Sequence, residues 1–413
     1  MNYSLANPLF QKAKSVMKQI ESHGYEAYFV GGCVRDTLLN LPIHDIDIAT
    51  SARPEEVEAI FSNTIDLGKK HGTVIVVWQQ ETYEITTFRT EDTYSDYRHP
   101  DNVKFVRDLQ EDTLRRDFTI NALAFDIKGK LYDYHGGKLD LDAKVIRAVG
   151  NPMERFHEDA LRIFRAIRFA SQLGFEVDGE TFRSMKALAK NLNQVSMERI
   201  RVEMTKFLQG DYFANSYQLL IDSRIYQHLP MLNILNIQAV LDQLSNKYQA
   251  MIDYPYVFSE AMSWALLLME LPYQSVVDKQ HFLKVWTHSN QLIKDVKHIT
   301  ELIPVFETNQ LSPQIIYHYP NDILFEVEQY MQAIGVVIQP SVQQRLDDLP
   351  IKRRNDMAVN GKDIMALLNL KKGQPIVGEL LAIIEERIIL RQMENTKDAI
   401  EKFVEAYVAD PKK

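Results

Sequence analysis

The hydrophobic period of this chain changes near Pro152, and no other feature limits its fold as much. Before about residue 150, apolar residues come in short runs separated by glycine turns such as "HGGK" at 135–138. "YEAYFV", "HDIDIA", "VKFVRD", "LAFDI" and "KLYDY" read as short strands. "HGTVIVVW" and "ETYEITTF" predict a strand pair joined by "QQ". "QKAKSVMKQIESHG" has helical spacing and stops at Gly24, and "RPEEVEAIFS" predicts a helix with Pro54 near its start. After Pro152 the patterns are long, amphipathic and helical, from "EDALRIFRAIRFASQLG" through "SMERIRVEMTKFLQG" to "GELLAIIEERIILRQM". Strand signals nearly vanish there. No repeat period or low-complexity tract appears. The chain thus predicts an α/β N-terminal part followed by an all-α remainder, with soft breaks near Gly150, Gly210 and residues 290–310.

The 413 residues allow two to four domains. The single cysteine, Cys33, excludes an internal disulfide framework and any cysteine-based zinc site, and fits a reducing, cytoplasmic setting. No charged segment followed by an apolar one opens the chain, so no signal peptide is expected. No apolar run nears the roughly 20 residues of a membrane helix. The formal net charge of -9 counts against a polynucleotide partner in general. A local basic patch could still meet one.

The most informative stretch is "VGGCVRDTLLNLPIHDIDIAT", from Val30 to Thr50. Strand, Gly-Gly turn and short helix let the backbone approach a ligand closely, and amides at a helix start favour a phosphate. In "HDIDIA", strand geometry would put Asp45 and Asp47 on one face and Ile46 and Ile48 on the other. Two close carboxylates persist only if well solvated or neutralised by a cation. Such oxygen pairs suit magnesium bridged to substrate phosphates. Two such ions about 4 Å apart can activate a hydroxyl and stabilise departing pyrophosphate. A polar outer face of an edge strand would look similar; the Gly-Gly turn and Arg35 just upstream favour the catalytic reading. Glu84, in "YEITTFR", is a candidate third carboxylate or a solvated strand residue.

With these residues the sequence resembles the nucleotidyltransferase superfamily of DNA polymerase β. More narrowly, it resembles class II tRNA nucleotidyltransferases (CCA-adding enzymes) and bacterial poly(A) polymerases. Four further segments carry the match, in the family's order: "LRRDFTINALAFD", "YDYHGGKLDLDAKVIRAVG", "FHEDALRIFRAIRFA" and "SMERIRVEM". The resemblance implies a head with the nucleotidyltransferase fold, a mixed sheet with flanking helices, over 1–150. It implies a helical neck with base recognition over 151–215, and a helical body (216–300) and tail (301–413) that bind tRNA. It also implies Mg2+ as cofactor, with Asp45 and Asp47 as catalytic metal ligands. Gly32, Arg35 and Arg116 would hold the nucleotide triphosphate, and Asn121 could orient the same ligand.

Periodicity predicts a helix from Glu158 with Ala160, Ile163, Phe164, Ile167 and Ala170 on one apolar arc. Asp159, Arg162, Arg165 and Arg168 step by three, each about 60° back from the last, along the opposite side. Asp159 can accept from the exocyclic amino group of cytosine or adenine, and Arg162 can donate to acceptors on the same base edge. Uracil and guanine present carbonyl oxygens where those amino groups stand. The family reads CTP and ATP with such a pair. Arg165 and Arg168 would hold phosphate or shape the pocket.

"RTEDTYSDYRHPDNVKF" (89–105) resembles the family's flexible loop, which favours addition of both C and A. "RRNDMAVNGKDIMALLNLKKGQPIVGELL" (353–381) resembles the tail of the short bacterial type, where Lys352, Arg353, Arg354, Lys362, Lys371 and Lys372 could meet RNA phosphates. The expectation is an enzyme adding C, C and A to tRNA 3′ ends, with no membrane role and with a homodimer left open. The alternatives are a bacterial poly(A) polymerase, a CC-adding enzyme, a small-molecule nucleotidyltransferase and a non-catalytic RNA-binding protein on the same fold.

Overall fold

The computed structural model describes residues 3–91, 103–234, 236–251, 258–273 and 275–409. The chain divides into two compact units: Met1–Ser245 with Phe282–Thr287, and Asn246–His281 with His288–Lys413.

The strands of the first unit are β1 (Ala27–Val30), β2 (Asp47–Thr50), β3 (Thr64–Gly68), β4 (Thr73–Trp78), β5 (Glu81–Thr87), β6 (Arg89–Glu91), β7 (Val103–Phe105), β8 (Leu123–Phe125), β9 (Leu131–Asp133), and the short parallel pair β10 (Val145–Ile146) and β11 (Glu176–Val177). Its helices are α1 (Pro8–Ser22), α2 (Gly32–Leu38), α3 (Pro54–Ile60), α4 (Leu109–Leu114), α5 (Gly137–Ala143), α6 (Pro152–Glu158), α7 (Leu161–Leu173), α8 (Gly179–Leu188), α9 (Met197–Leu208) and α10 (Phe213–Asp222). Seven strands form one sheet in the order β3-β4-β5-β2-β1-β8-β9. The β2–β5 pair is parallel and the other neighbours are antiparallel, so the sheet is mixed, as expected.

Local chemistry explains the frame. Asn7 caps α1 by accepting from the Leu9 amide at 2.9 Å, and Pro8 starts the helix. Phe10, Ala13, Val16, Met17 and Ile20 form its buried face. Phe10 meets Phe29 of β1 at 4.8 Å between ring centroids. The β4–β5 hairpin turns on Gln79 and Gln80, both at positive φ, which the twist of a two-residue turn requires. Val30, Ala49, Phe88, Val106, Leu109 and Ala124 form a buried cluster over the sheet. Strand β3 is an addition to the sequence reading; "TIDLG" lacks a continuous apolar run.

The helix expected from Glu158 starts at Leu161 instead, and Glu158 ends the preceding α6. Asp159 is extended (φ -137°, ψ 101°) between α6 and α7. Its Oδ1 accepts from the Leu161 amide at 3.1 Å, so the side chain competes with helical backbone bonding and breaks the helix there. Ala160, Ile163, Phe164, Ile167 and Ala170 are buried as the periodicity predicts. Phe164 meets Phe207 of α9 at 6.1 Å. Gly210, before α10, lets the chain press on α7: a Cβ there would lie 2.0 Å from Ser171 Oγ.

The second unit is helical among the described residues. Serines start four of its helices: Ser259 caps Glu260–Glu270, Ser289 caps Asn290–Glu307, Ser312 caps Pro313–His318 and Ser341 caps Val342–Asp348. Trp264 and Tyr330 are fully buried in it. Of the tail cations, Arg353 pairs with Asp356 and Arg354 with Glu385, while Lys362, Lys371 and Lys372 are exposed. No described helix is long and apolar enough to cross a membrane.

Candidate active site

Strand β1 ends at Gly31, whose φ of +72° sends the chain sharply into α2. A Cβ there would lie 3.5 Å from Asp47 Oδ2 and 3.7 Å from Arg116 Nη1, so this backbone passes between a carboxylate and a guanidinium. Asp47 is the first residue of β2, not the third of a longer strand; Asp45 lies before the strand and is exposed. Ile46 and Ile48 are buried as expected.

Burial, then the charges of Asp45 and Glu84, push the Asp47 carboxyl up to about 6, against the pull of Arg116. Glu84 is the Cα partner of Asp47 in the β2–β5 ladder. With Asp45 and Asp47 it lines a cavity of about 450 Å³. Among the described residues no three acidic, histidine or cysteine groups stand together as a metal site. The paired oxygen donors of Asp45 and Asp47, with negative charge that their surroundings leave unneutralised, do fit a divalent cation.

On its other side the carboxylate pair borders a cleft of about 490 Å³. All nine residues singled out as catalytic or nucleotide-binding line it: Gly32, Arg35, Asp45, Asp47, Arg116, Asp159, Arg162, Arg165 and Arg168. Asn121 lines it too. Seven arginines face five aspartates across its walls, so a chain of net negative charge encloses a cleft with positive excess.

Each side chain is held from behind. Arg35 pairs with Asp36, donates to Asn121 Oδ1 at 2.8 Å and lies 5.1 Å over the Phe169 ring. Fully buried Asp112 holds Arg115 at 2.8 Å and Arg116 at 3.2 Å, and accepts from the Arg89 amide at 3.1 Å. The buried Nε of Arg116 has no acceptor among the described residues.

Asp117 is the hub. It accepts from Arg165 at 2.6 and 2.9 Å, from Asn121 Nδ2 at 3.0 Å and from the Phe118 amide at 2.8 Å. Burial alone would raise its carboxyl; the Arg165 charge and these hydrogen bonds outweigh that and hold it well below the usual range. Glu203 of α9 pairs with Arg168 at 2.8 Å and with Arg165 at 3.4 Å. Arg168 stacks 3.6 Å from the Phe169 ring centroid, and burial pulls it down to about 10 despite Glu203.

Asp159 and Arg162 are not each other's side-chain partners. Arg162 is bound to Glu158 at 2.7 Å and donates to the Arg115 carbonyl at 2.7 Å. Asp159 is held by Arg199 of α9 at 2.7 and 3.2 Å. Arg199, Asp36 and Phe169 also line the cleft; each lies in a segment quoted above, but nothing in those segments gave it a role. Asp36 pairs with its neighbour Arg35, whereas Arg199 reaches Asp159 from 40 residues away and Phe169 lies under the distant Arg35. The expected flexible loop is described only at its base, where β6 and β7 pair (Arg89 with Phe105, Glu91 with Val103); residues 92–102 lie outside the described residues.

Family models match along the chain: the poly(A) polymerase head domain at residues 27–147, a probable RNA- and SrmB-binding site of polymerase A at 174–235, and a putative domain 2 of tRNA nucleotidyltransferase at 257–404. A CCA-adding enzyme of Streptococcus agalactiae serotype V is 42% identical over 404 residues, covering 97% of this chain and 98% of that one. A CCA-adding enzyme of Enterococcus faecalis is 42% identical over 397 residues, 95% of each. The crystal structure of the Bacillus stearothermophilus CCA-adding enzyme in complex with CTP superimposes with a TM-score of 0.84 at 36% identity, covering 98% of this chain and 99% of that one. A catalytic-head match, near full-length relatives and a shared fold agree: this chain belongs to the family of class II CCA-adding enzymes.

Proposed function

We propose that the protein adds C, C and A, in that order and without a nucleic-acid template, to the 3′ end of tRNA, using CTP and ATP and releasing pyrophosphate. One observation carries this reading: a single cleft holds a carboxylate pair at one wall and the Asp159–Arg162 pair at another. The first suits phosphoryl chemistry and the second suits reading a base edge. The near full-length likeness to CCA-adding enzymes supports it.

In this reading the metal is Mg2+, held by Asp45 and Asp47, with Glu84 as a further oxygen donor beside them. When bound, it would make the tRNA 3′-hydroxyl a better nucleophile and offset charge on the α-phosphate. The residues do the rest by positioning. Arg116 has a buried donor without an acceptor, which a ribose or phosphate oxygen would satisfy. Gly32 and Arg35 cradle the triphosphate. Asp159 accepts from cytosine N4 or adenine N6, and Arg162 donates to the same edge. Arg165 and Arg168, each tied to buried carboxylates, shape the pocket floor more than they are free to follow phosphate. Residues 151–215 serve as the base-reading neck. Residues 216–413 grip tRNA by shape and backbone, which a protein that accepts every tRNA requires. The setting is the cytoplasm, with tRNA.

Transcripts ending at the discriminator base test this. Growth by two residues with CTP and by three with CTP plus ATP is expected. A long ladder with ATP alone would instead indicate a poly(A) polymerase, and two additions as the limit with both nucleotides would indicate a CC-adding enzyme.

A further inference from the structure

Asp159 is the extended residue between α6 and α7. Its N–H donates to the Arg155 carbonyl at 3.3 Å and its carbonyl accepts from the Arg162 amide at 3.1 Å, so its backbone is tied while its side chain depends on separate contacts. The proposed base reading asks much of it. A carboxylate free to swing could accept from the ring N–H of uracil or guanine as well as from the amino group of cytosine or adenine. The Leu161 amide holds Oδ1 from within the junction; fixing the whole carboxylate takes a second group from outside it.

That group is Arg199. It lies in the first turn of α9, and α9 is locked to α7. Ser171 donates to the Phe207 carbonyl at 2.6 Å, Glu203 binds Arg168 at 2.8 Å, and the Phe164 and Phe207 rings meet. From this fixed helix the guanidinium makes a two-point bond: Nη2 to Oδ2 at 2.7 Å and Nη1 to Oδ1 at 3.2 Å. The planar fork of arginine matches a carboxylate in this way, and lysine cannot. The Leu161 amide takes one more lone pair of Oδ1. The pair is largely shielded, at 24% and 16% side-chain exposure. Both residues line the cleft. What the carboxylate still offers there is lone pairs in one orientation.

We propose that Arg199 is a specificity-determining positioning residue: it clamps the Asp159 carboxylate so that the cleft presents a fixed acceptor, and so discriminates C and A against U and G. This rests on Asp159 reading the base. Arg199 touches neither the base nor the reacting atoms. Its effect passes through Asp159, so it sets nucleotide choice without driving transfer.

The test uses the full-length protein and a tRNA transcript ending at the discriminator base, with kcat and KM measured for CTP and UTP. R199A is expected to lower the CTP-over-UTP preference by about tenfold or more, the scale of a lost charge-assisted hydrogen bond. The change should fall mainly on KM for CTP. R199K keeps the charge but not the fork, and should fall between R199A and the wild type. It also serves if R199A folds poorly. The double variant D159A/R199A should discriminate no worse than D159A alone. If D159A loses discrimination while both Arg199 variants slow CTP and UTP equally, the clamp is overturned and the base-reading role of Asp159 survives. If D159A itself keeps the preference intact, the base-reading role fails and the clamp fails with it.

Discussion

Replacing Asp117 by asparagine removes the one negative charge on which Arg165, Asn121 and the Phe118 amide converge. The asparagine has the same shape. Its carbonyl can keep one of these bonds, but its NH2 group meets donors from Arg165 or Asn121. Breaking a buried ion pair from one side costs about 3–5 kcal/mol. Here Arg165 keeps Glu203 at 3.4 Å and is 31% exposed, so water in the cleft recovers part of the loss. We expect about 2–3 kcal/mol, which lowers the melting temperature of a unit this size by about 4–12 °C. The sign with pH follows from the depressed carboxyl of Asp117. Its contribution is present above the unfolded pKa, about 3.9, and is lost as pH falls through the lower folded value. Wild type and D117N should therefore converge in stability in strong acid and differ fully at neutral pH. Scanning calorimetry from pH 7 downward measures this. Because Arg165 and Asn121 face the nucleotide cleft, kcat/KM should fall for CTP and ATP alike, by about ten- to a hundredfold. An unchanged melting temperature at pH 7, or a loss confined to one nucleotide, would refute the hub reasoning.

Asp45→Ala and Asp47→Ala should each abolish nucleotide transfer while tRNA binding, measured by filter retention, stays near the wild-type value. Gly31→Ala should destabilise by about 1–2 kcal/mol in denaturant titration, because an L-residue pays that at positive φ, although the space for its Cβ is adequate; no loss would mean the turn relaxes freely. Arg107 holds the Glu56 carboxyl down from 4.5 to about 2. E56Q should therefore lose less than about 1 kcal/mol, the pair being exposed, and the loss should be full above pH 4.5 and vanish as pH falls towards 2.

Much of the site was written locally in the chain. The Gly-Gly turn, the two aspartates alternating with Ile46 and Ile48, and the "QQ" hairpin each follow from backbone rules acting over a few residues. The mixed sheet and the helical remainder follow from the change of period at Pro152. What was not legible depends on contacts between distant segments. Helical periodicity carried Asp159 onto α7, but its own side chain binds the Leu161 amide and its carboxylate is drawn to Arg199. That helix break places the acidic member of the proposed base-reading pair on a junction, away from the arginine ridge. Asp112 and Glu203 likewise look like ordinary helix-surface acids in sequence, yet both are buried under arginines of the cleft. Strand β3 is polar along much of its length and is recruited by pairing with β4.

In the proposed function one cleft separates transfer from choice, with Asp45 and Asp47 governing rate and Asp159 with Arg162 governing which base is added. Single-turnover extension of a tRNA transcript in equimolar CTP and UTP tests it directly, comparing Asp47→Asn with Asp159→Ala. Asp47→Asn is expected to slow incorporation severely with the C-to-U product ratio unchanged, and Asp159→Ala to shift the ratio towards U. A shifted ratio in Asp47→Asn, or a preserved one in Asp159→Ala, would contradict it.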